Sequence, residues 1–139
     1  MKPGAILDTG PLVALLNRRD QYHTWAVAQW NQLSPPLITS EAVLSEACFL
    51  LRHMPNGTDA VMELLQRQAL KIAFHLEDHS ESIAKLLKKY RSVSMSLADA
   101  CLVRMSELEP KRAVFTLDSD FALYRRNGRQ VIPTVMPDM

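Results

Sequence analysis

Short apolar runs alternate along this chain with longer stretches in which apolar residues return every three or four positions. The short runs are residues 4–8 (GAILD), 37–39 (LIT), 71–76 (KIAFHL), 112–117 (RAVFTL) and 130–133 (QVIP). Such runs predict short buried strands. The longer stretches are residues 11–19, 22–33, 41–54, 59–70, 77–90 and 97–108. Their period predicts helices, and within 77–90 it puts Ile83, Leu86, Leu87 and Tyr90 on one face. A further short helix is predicted over 119–126. The punctuation agrees with these bounds. Pro11 suits a first helical position after Thr9-Gly10. Ser40, Thr58 and Ser96 stand where helix caps are needed. Ser34-Pro35-Pro36, Pro55-Asn56-Gly57, Pro110 and Asn127-Gly128 mark breaks and turns. Strands alternating with helices and helix pairs predict an α/β fold, a central and mainly parallel sheet flanked by helices. The 139 residues suit a single domain over 1–139. The tail after Pro133 is expected to be loosely held.

Acidic residues recur where these elements begin or end. Asp8 closes the first strand in ILDTG. In parallel sheets, ligands gather at that end of the strands, although an aspartate there also serves as a turn or cap. Glu46 lies inside the apolar helix VLSEACFLL, where the period places it on a stripe with Ala42, Val43, Phe49 and Leu50. A buried acid there needs a partner, either a basic side chain or a metal. Asp99 in SLADACL follows Ser96 by three, which is also the spacing of a capping box. Asp118 and Asp120 follow the fourth strand in FTLDSDF, with Thr116 just before them. Each alone has an ordinary structural reading. Brought into one pocket they would repel, by about 4 kcal/mol per pair at ~4 Å and an effective dielectric near 20. A divalent cation held by hard oxygen ligands relieves that repulsion.

Charge sharpens the picture. The 16 basic and 15 acidic residues give a net charge of +1. Setting aside Asp8, Glu46, Asp99, Asp118 and Asp120 leaves ten acids against those 16 bases. An acidic pocket on a basic surface suits a polyanion held by its phosphates. Cys48 and Cys101 are distant and form no C-x-x-C motif, so both are expected to be reduced core residues. Lys2 and the apolar stretch after it imitate a signal peptide, but Asp8, Gly10 and Pro11 interrupt it. No apolar run is long enough for a membrane helix. A cytoplasmic protein is expected.

The ordered set ILDTGPLVALL, VLSEACFLL, SLADACLV and FTLDSDF resembles the PIN-domain nucleases, including the VapC-type toxins of bacterial toxin–antitoxin pairs. The resemblance spans essentially the whole chain. It implies a parallel sheet flanked by helices, with Asp8, Glu46, Asp99 and Asp118 as the acidic quartet that holds Mg²⁺ or Mn²⁺. It makes Asp120 an auxiliary acid, and Thr9 and Thr116 supporting polar residues. The implied activity is that of a metal-dependent endoribonuclease, hydrolysing RNA phosphodiesters with water activated by the carboxylate-held cation. A cognate antitoxin and a homodimer are the implied partners. Arg18 and Arg19, or Arg125, Arg126 and Arg129, are candidates for holding RNA phosphates. Lys85, Lys88 and Lys89 read as surface. Trp25 and Trp30 on the second helix are candidates for a dimer surface or for the core.

Other readings are weaker. The triplet Asp8-Thr9-Gly10 also occurs in aspartic proteases, whose folds are all-β. His75 and His79 are four apart but lack the H-E-x-x-H order of a zinc helix. The main alternative is a non-catalytic PIN-like module that binds RNA or assembles with partners and has a weak metal site. A DNA-acting nuclease is a further alternative, disfavoured by the compact chain.

Overall fold

The computed structural model describes residues 3–138. Lys2, part of the signal-like start, lies outside the described residues. Five strands form one all-parallel sheet: β1 (Ile6–Leu7), β2 (Leu37–Thr39), β3 (Leu70–Ile72), β4 (Val114–Phe115) and, at the far edge, the segment Thr134–Val135. The order across the sheet is β3, β2, β1, β4 and Thr134–Val135. Among the described residues six α-helices accompany it: α1 (Thr9–Leu16), α2 (His23–Gln32), α3 (Glu41–Leu50), α4 (Gly57–Gln66), α5 (Ser80–Lys89) and α6 (Leu97–Leu108). The expected α/β class with a mainly parallel sheet flanked by helices is what forms.

The strands are apolar on both faces because both are covered. Successive strand residues point to opposite sides. Ile6, Ile38 and Val114 therefore join Ile83, Ala98 and Leu102 of α5 and α6. Leu7, Leu37 and Phe115 turn to the other side and pack with Leu12, Leu44, Ala47, Val61 and Leu64 of α1, α3 and α4. Trp25 meets Phe115 edge-on at 5.5 Å, and Trp30 packs on the same cluster. Both tryptophans thus pack against the core while staying partly exposed. Cys101 is buried, whereas Cys48 is only partly so, and both thiols are free.

Several expected elements are placed differently. The segment 119–126 is not a helix: a 3-10 turn over Ser119–Ala122 gives way to β5 (Arg125–Arg126), which pairs antiparallel with β6 (Gln130–Val131). The Asn127-Gly128 turn has φ of 51° and 82°, the left-handed pair that closes a tight hairpin. That hairpin preference outweighs the helical period of only eight residues. The tail after Pro133 is not loose either. As β7, Thr134–Val135 supplies the outer strand, with Val114 N donating to Pro133 O and Thr116 N to Val135 O. α1 begins at Thr9 instead of Pro11, capped by Asp8. α4 is entered through left-handed Asn56, with no cap from Thr58, and ends before residue 70, which joins β3. No helix among the described residues is long and apolar enough to cross a membrane.

Candidate metal centre

Parallel strands bring their carboxyl ends to one edge of the sheet, and the candidate acids collect there. β1 is central, with β2 and β4 beside it. Asp8 leaves β1 while still tied to β4, its amide donating to Phe115 O at 2.9 Å. Its side chain is 6% exposed. One carboxylate oxygen accepts from Thr9 N at 2.7 Å, the other from Thr116 Oγ1 at 2.6 Å. Thr116 in turn accepts from Asp118 N at 2.9 Å, and Asp118 Oδ1 accepts from Asp120 N at 2.9 Å. Thr9 Oγ1 donates to Glu46 Oε2 at 2.9 Å. Thr9 and Thr116 therefore link Asp8 to acids from α3 and from the loop after β4.

Asp99 arrives from the amino end of α6. Ser96 Oγ accepts from Asp99 N at 3.0 Å and Ser96 N donates to Asp99 Oδ2 at 3.2 Å, a complete capping box. The same oxygen accepts from Tyr124 Oη at 3.1 Å. Asp8, Thr9, Glu46, Asp99 and Asp118 line one open cleft of about 320 Å³, together with Gly10, Leu50 and Leu117. Asp120 is not among its lining residues.

The carboxylates feel one another. Burial pushes the Asp8 carboxyl up to about 6, with the charges of Asp99 and Asp118 adding to the rise and its two hydrogen bonds opposing it. Burial also raises Asp99, and the Asp118 charge adds to it. Tyr124 is raised by burial first, then by the charges of Asp99, Asp120 and Asp118. Hard carboxylate oxygens that resist ionisation together are a donor set that fits Mg²⁺ or Mn²⁺. Among the described residues, however, no three His, Cys, Asp or Glu side chains converge into a ready-made cation cage.

Glu46 departs from the expected geometry. It is exposed, and so are Phe49 and Leu50, at 61% and 56%. The buried stripe of α3 is Val43, Leu44 and Ala47. The helical period was correct but the inward face was misassigned, because two large apolar residues face outward beside the cleft. Glu46 therefore needs no buried basic partner.

The basic candidates divide. Arg126 Nη1 donates to Ser106 O and Pro110 O at 3.0 and 3.3 Å, closing the carboxyl end of α6. Arg125 Nη1 donates to Ala122 O and Tyr124 O. The Arg126 guanidinium holds the hairpin to the body, whereas that of Arg125 braces the turn just before it. Arg129 is exposed, as are Arg18 and Arg19 beyond the end of α1. Lys85, Lys88 and Lys89 are on or near the surface, and Lys89 Nζ donates to Gly128 O. His79 stacks on Phe74 and accepts from Arg104 Nε, while His75 pairs with Asp78. The two histidines are thus engaged separately.

The sequence reading missed Tyr124. It is fully buried, between Phe121 and Tyr90 at ring separations of 5.1 and 5.0 Å. The only sequence signal was the Phe121–Tyr124 spacing after Asp118, which was absorbed into the supposed helix.

The sequence matches the PIN-domain family model over residues 5–127. The chain belongs to the PIN-domain family. Among solved structures it is similar to Mycobacterium tuberculosis VapC20, described as a sarcin-ricin loop cleaving toxin. The TM-score is 0.77 at 23% identity, over 86% of this chain and 94% of that one. It is also similar to PAE2754 from Pyrobaculum aerophilum, with a TM-score of 0.53 at 15% identity, over 98% and 92% of the two chains. At these identities the likeness establishes the PIN fold and nothing finer. A comparison with curated proteins finds no match.

Proposed function

We propose that this PIN-domain protein is a Mg²⁺- or Mn²⁺-dependent endoribonuclease and the toxin of a toxin–antitoxin pair. The observation that carries the reading is Asp8, a carboxylate buried at the end of the central strand and joined through Thr9 and Thr116 to Glu46 and the Asp118 loop. Asp8, Glu46, Asp99 and Asp118 are the residues that would hold the cation, with Asp120 auxiliary. When bound, the cation supplies charge neutralisation at the phosphate and lowers the pKa of water. Thr116 holds one oxygen of Asp8 and thereby orients the carboxylate. Thr9 does the same for Glu46, which is otherwise free in solvent. The Ser96 amide and the Tyr124 hydroxyl fix Asp99 against the cleft wall. No side-chain nucleophile is required. RNA is the substrate class, in keeping with the VapC20 likeness, and an antitoxin and a second copy of the chain are the partners. The cytoplasm is the compartment such a target implies.

The decisive experiment incubates a mixed pool of structured and single-stranded RNAs with the protein and Mg²⁺ or Mn²⁺, or with EDTA. Cleavage that needs metal and is lost in Asp8→Asn supports the reading. The open, unconverged acid cluster favours one second reading, a PIN module that binds RNA without cutting it. Metal-independent RNA binding without cleavage, by protein free of co-purified inhibitor, would select it.

A further inference from the structure

A concavity beside the acid cleft lies between the carboxyl ends of α1 and α3. It measures about 540 Å³, and its lining includes Leu16, Asn17, Arg18, Arg19, Leu50 and Met54. Leu50 also lines the acid cleft, so the two depressions are neighbours that share one side chain. Glu46 and Leu50 are one turn apart on α3 and share a face. The chemistry changes along that line, from carboxylates at Asp8 and Glu46 to cations at Arg18 and Arg19. Among the described residues neither Arg18 nor Arg19 pairs with a carboxylate. Leu16, Leu50 and Met54 give the concavity apolar surface beside the polar groups of Asn17, Arg18 and Arg19.

We propose that this concavity is a nucleotide subsite for the single-stranded RNA segment that flanks the bond to be cut. A lining that mixes apolar side chains with two arginines matches a ligand whose bases present flat apolar faces and whose phosphates carry charge. Arg18 and Arg19 take phosphate oxygens, and a base lies against Leu16 and Met54. Leu50, shared by the two depressions, puts this subsite next to the acid cleft for a single strand. The subsite accounts for Leu50, a large apolar residue left facing water beside the acids. It rests on the nuclease reading for its place in the reaction, but its RNA binding is measurable without cleavage.

The test uses a fluorescein-labelled random-sequence RNA decamer and fluorescence anisotropy in EDTA, which keeps the RNA intact. Arg18→Gln/Arg19→Gln is compared with Lys71→Gln/Lys111→Gln, an equal loss of charge outside the concavity. The arginine variant is expected to weaken binding at least tenfold and to lower the salt slope by about 1.4, at ~0.7 per phosphate contact on a single strand. The lysine variant is expected to lose less than threefold. Both pairs are exposed or nearly so, and unchanged melting curves establish that the variants are folded. Equal losses in the two variants, no salt-dependent binding by the wild type, or displacement of the RNA by polyglutamate at equal charge concentration would each overturn the proposal. Mn²⁺ titration by calorimetry separates the two readings. A wild type that binds RNA as described but takes up no Mn²⁺ defeats the metal-dependent nuclease and leaves the subsite standing.

Discussion

Replacing Asp8 with asparagine should stabilise the metal-free protein. Burial raises the Asp8 carboxyl from 3.8 to about 6. At pH 7 a gap of that size makes ionisation cost the folded state about 3 kcal/mol relative to the unfolded chain. Asparagine removes the cost. It still accepts from Thr9 N through its oxygen, but its amide group then faces Thr116 Oγ1, which loses an acceptor for its own proton. One lost hydrogen bond offsets about 1 kcal/mol. The net gain is about 2 kcal/mol, or roughly 8 °C in Tm for a chain of this size.

The pH dependence gives the sign. Asp8 is raised on folding, so the folded state holds its proton between pH 3.8 and about 6 while the unfolded chain releases it. Its contribution to wild-type stability is full below pH 3.8 and is lost as pH rises through 6. Asp8→Asn does not titrate there. Circular-dichroism melts in EDTA should show the variant higher by roughly 8 °C at pH 7.5, with the advantage gone near pH 4. A variant that melts lower at pH 7.5, or one whose advantage is undiminished at pH 4, refutes the reasoning. Adding Mn²⁺ should raise the wild type more than the variant, because binding to the folded state alone stabilises it.

Three further substitutions separate the roles of neighbouring residues. Tyr124→Phe removes the hydroxyl that holds Asp99 and should cost about 1 kcal/mol in urea unfolding, while weakening Mn²⁺ binding several-fold by calorimetry. Arg126→Ala should cost about 2 kcal/mol, because its charged donor serves two carbonyls at the end of α6, yet leave RNA affinity unchanged. Glu46→Gln, at an exposed position, should leave apo stability within about 0.5 kcal/mol but reduce Mn²⁺ affinity. Substantial apo destabilisation by this variant would mean that Glu46 is more than a solvent-facing ligand.

The strands were legible because a parallel sheet covered on both faces demands uninterrupted apolar runs, and AIL, LIT and AVF provide them. The positions of Asp8 and Asp118 followed from the ends of those runs, and Asp99 from its three-residue distance from Ser96. What failed was whatever the sequence leaves degenerate. Eight residues after Asp118 fit both a helix and a turn-plus-hairpin. The hairpin prevails because Asn127 and Gly128 accept left-handed backbone and because Arg126 and the Asn127 amide find acceptors on and beyond α6 at Ser106, Pro110 and Glu107. β7 was hidden because a two-residue edge strand has no pattern of its own. It exists because β4 offers unpaired amides at Val114 and Thr116. The inward face of α3 was misassigned because periodicity fixes which residues share a face, not which face is covered.

That last failure bears on function. A helix that turns Glu46, Phe49 and Leu50 outward together is poorly made for packing alone. An acid and two large apolar groups share one exposed surface, and Leu50 lies where the carboxylate cleft meets the cationic concavity. Asp8 has the complementary defect, a charge kept in the interior against burial and against two neighbouring acids. Each departure is unfavourable to the isolated fold, and both lie at the same edge of the sheet. Local sequence preferences give way where a site needs them to. Here two different preferences, apolar inside and charge outside, are reversed within one cleft. Neither reversal is explained by the packing of the sheet, and both lie where the proposed cation and the proposed RNA strand would meet.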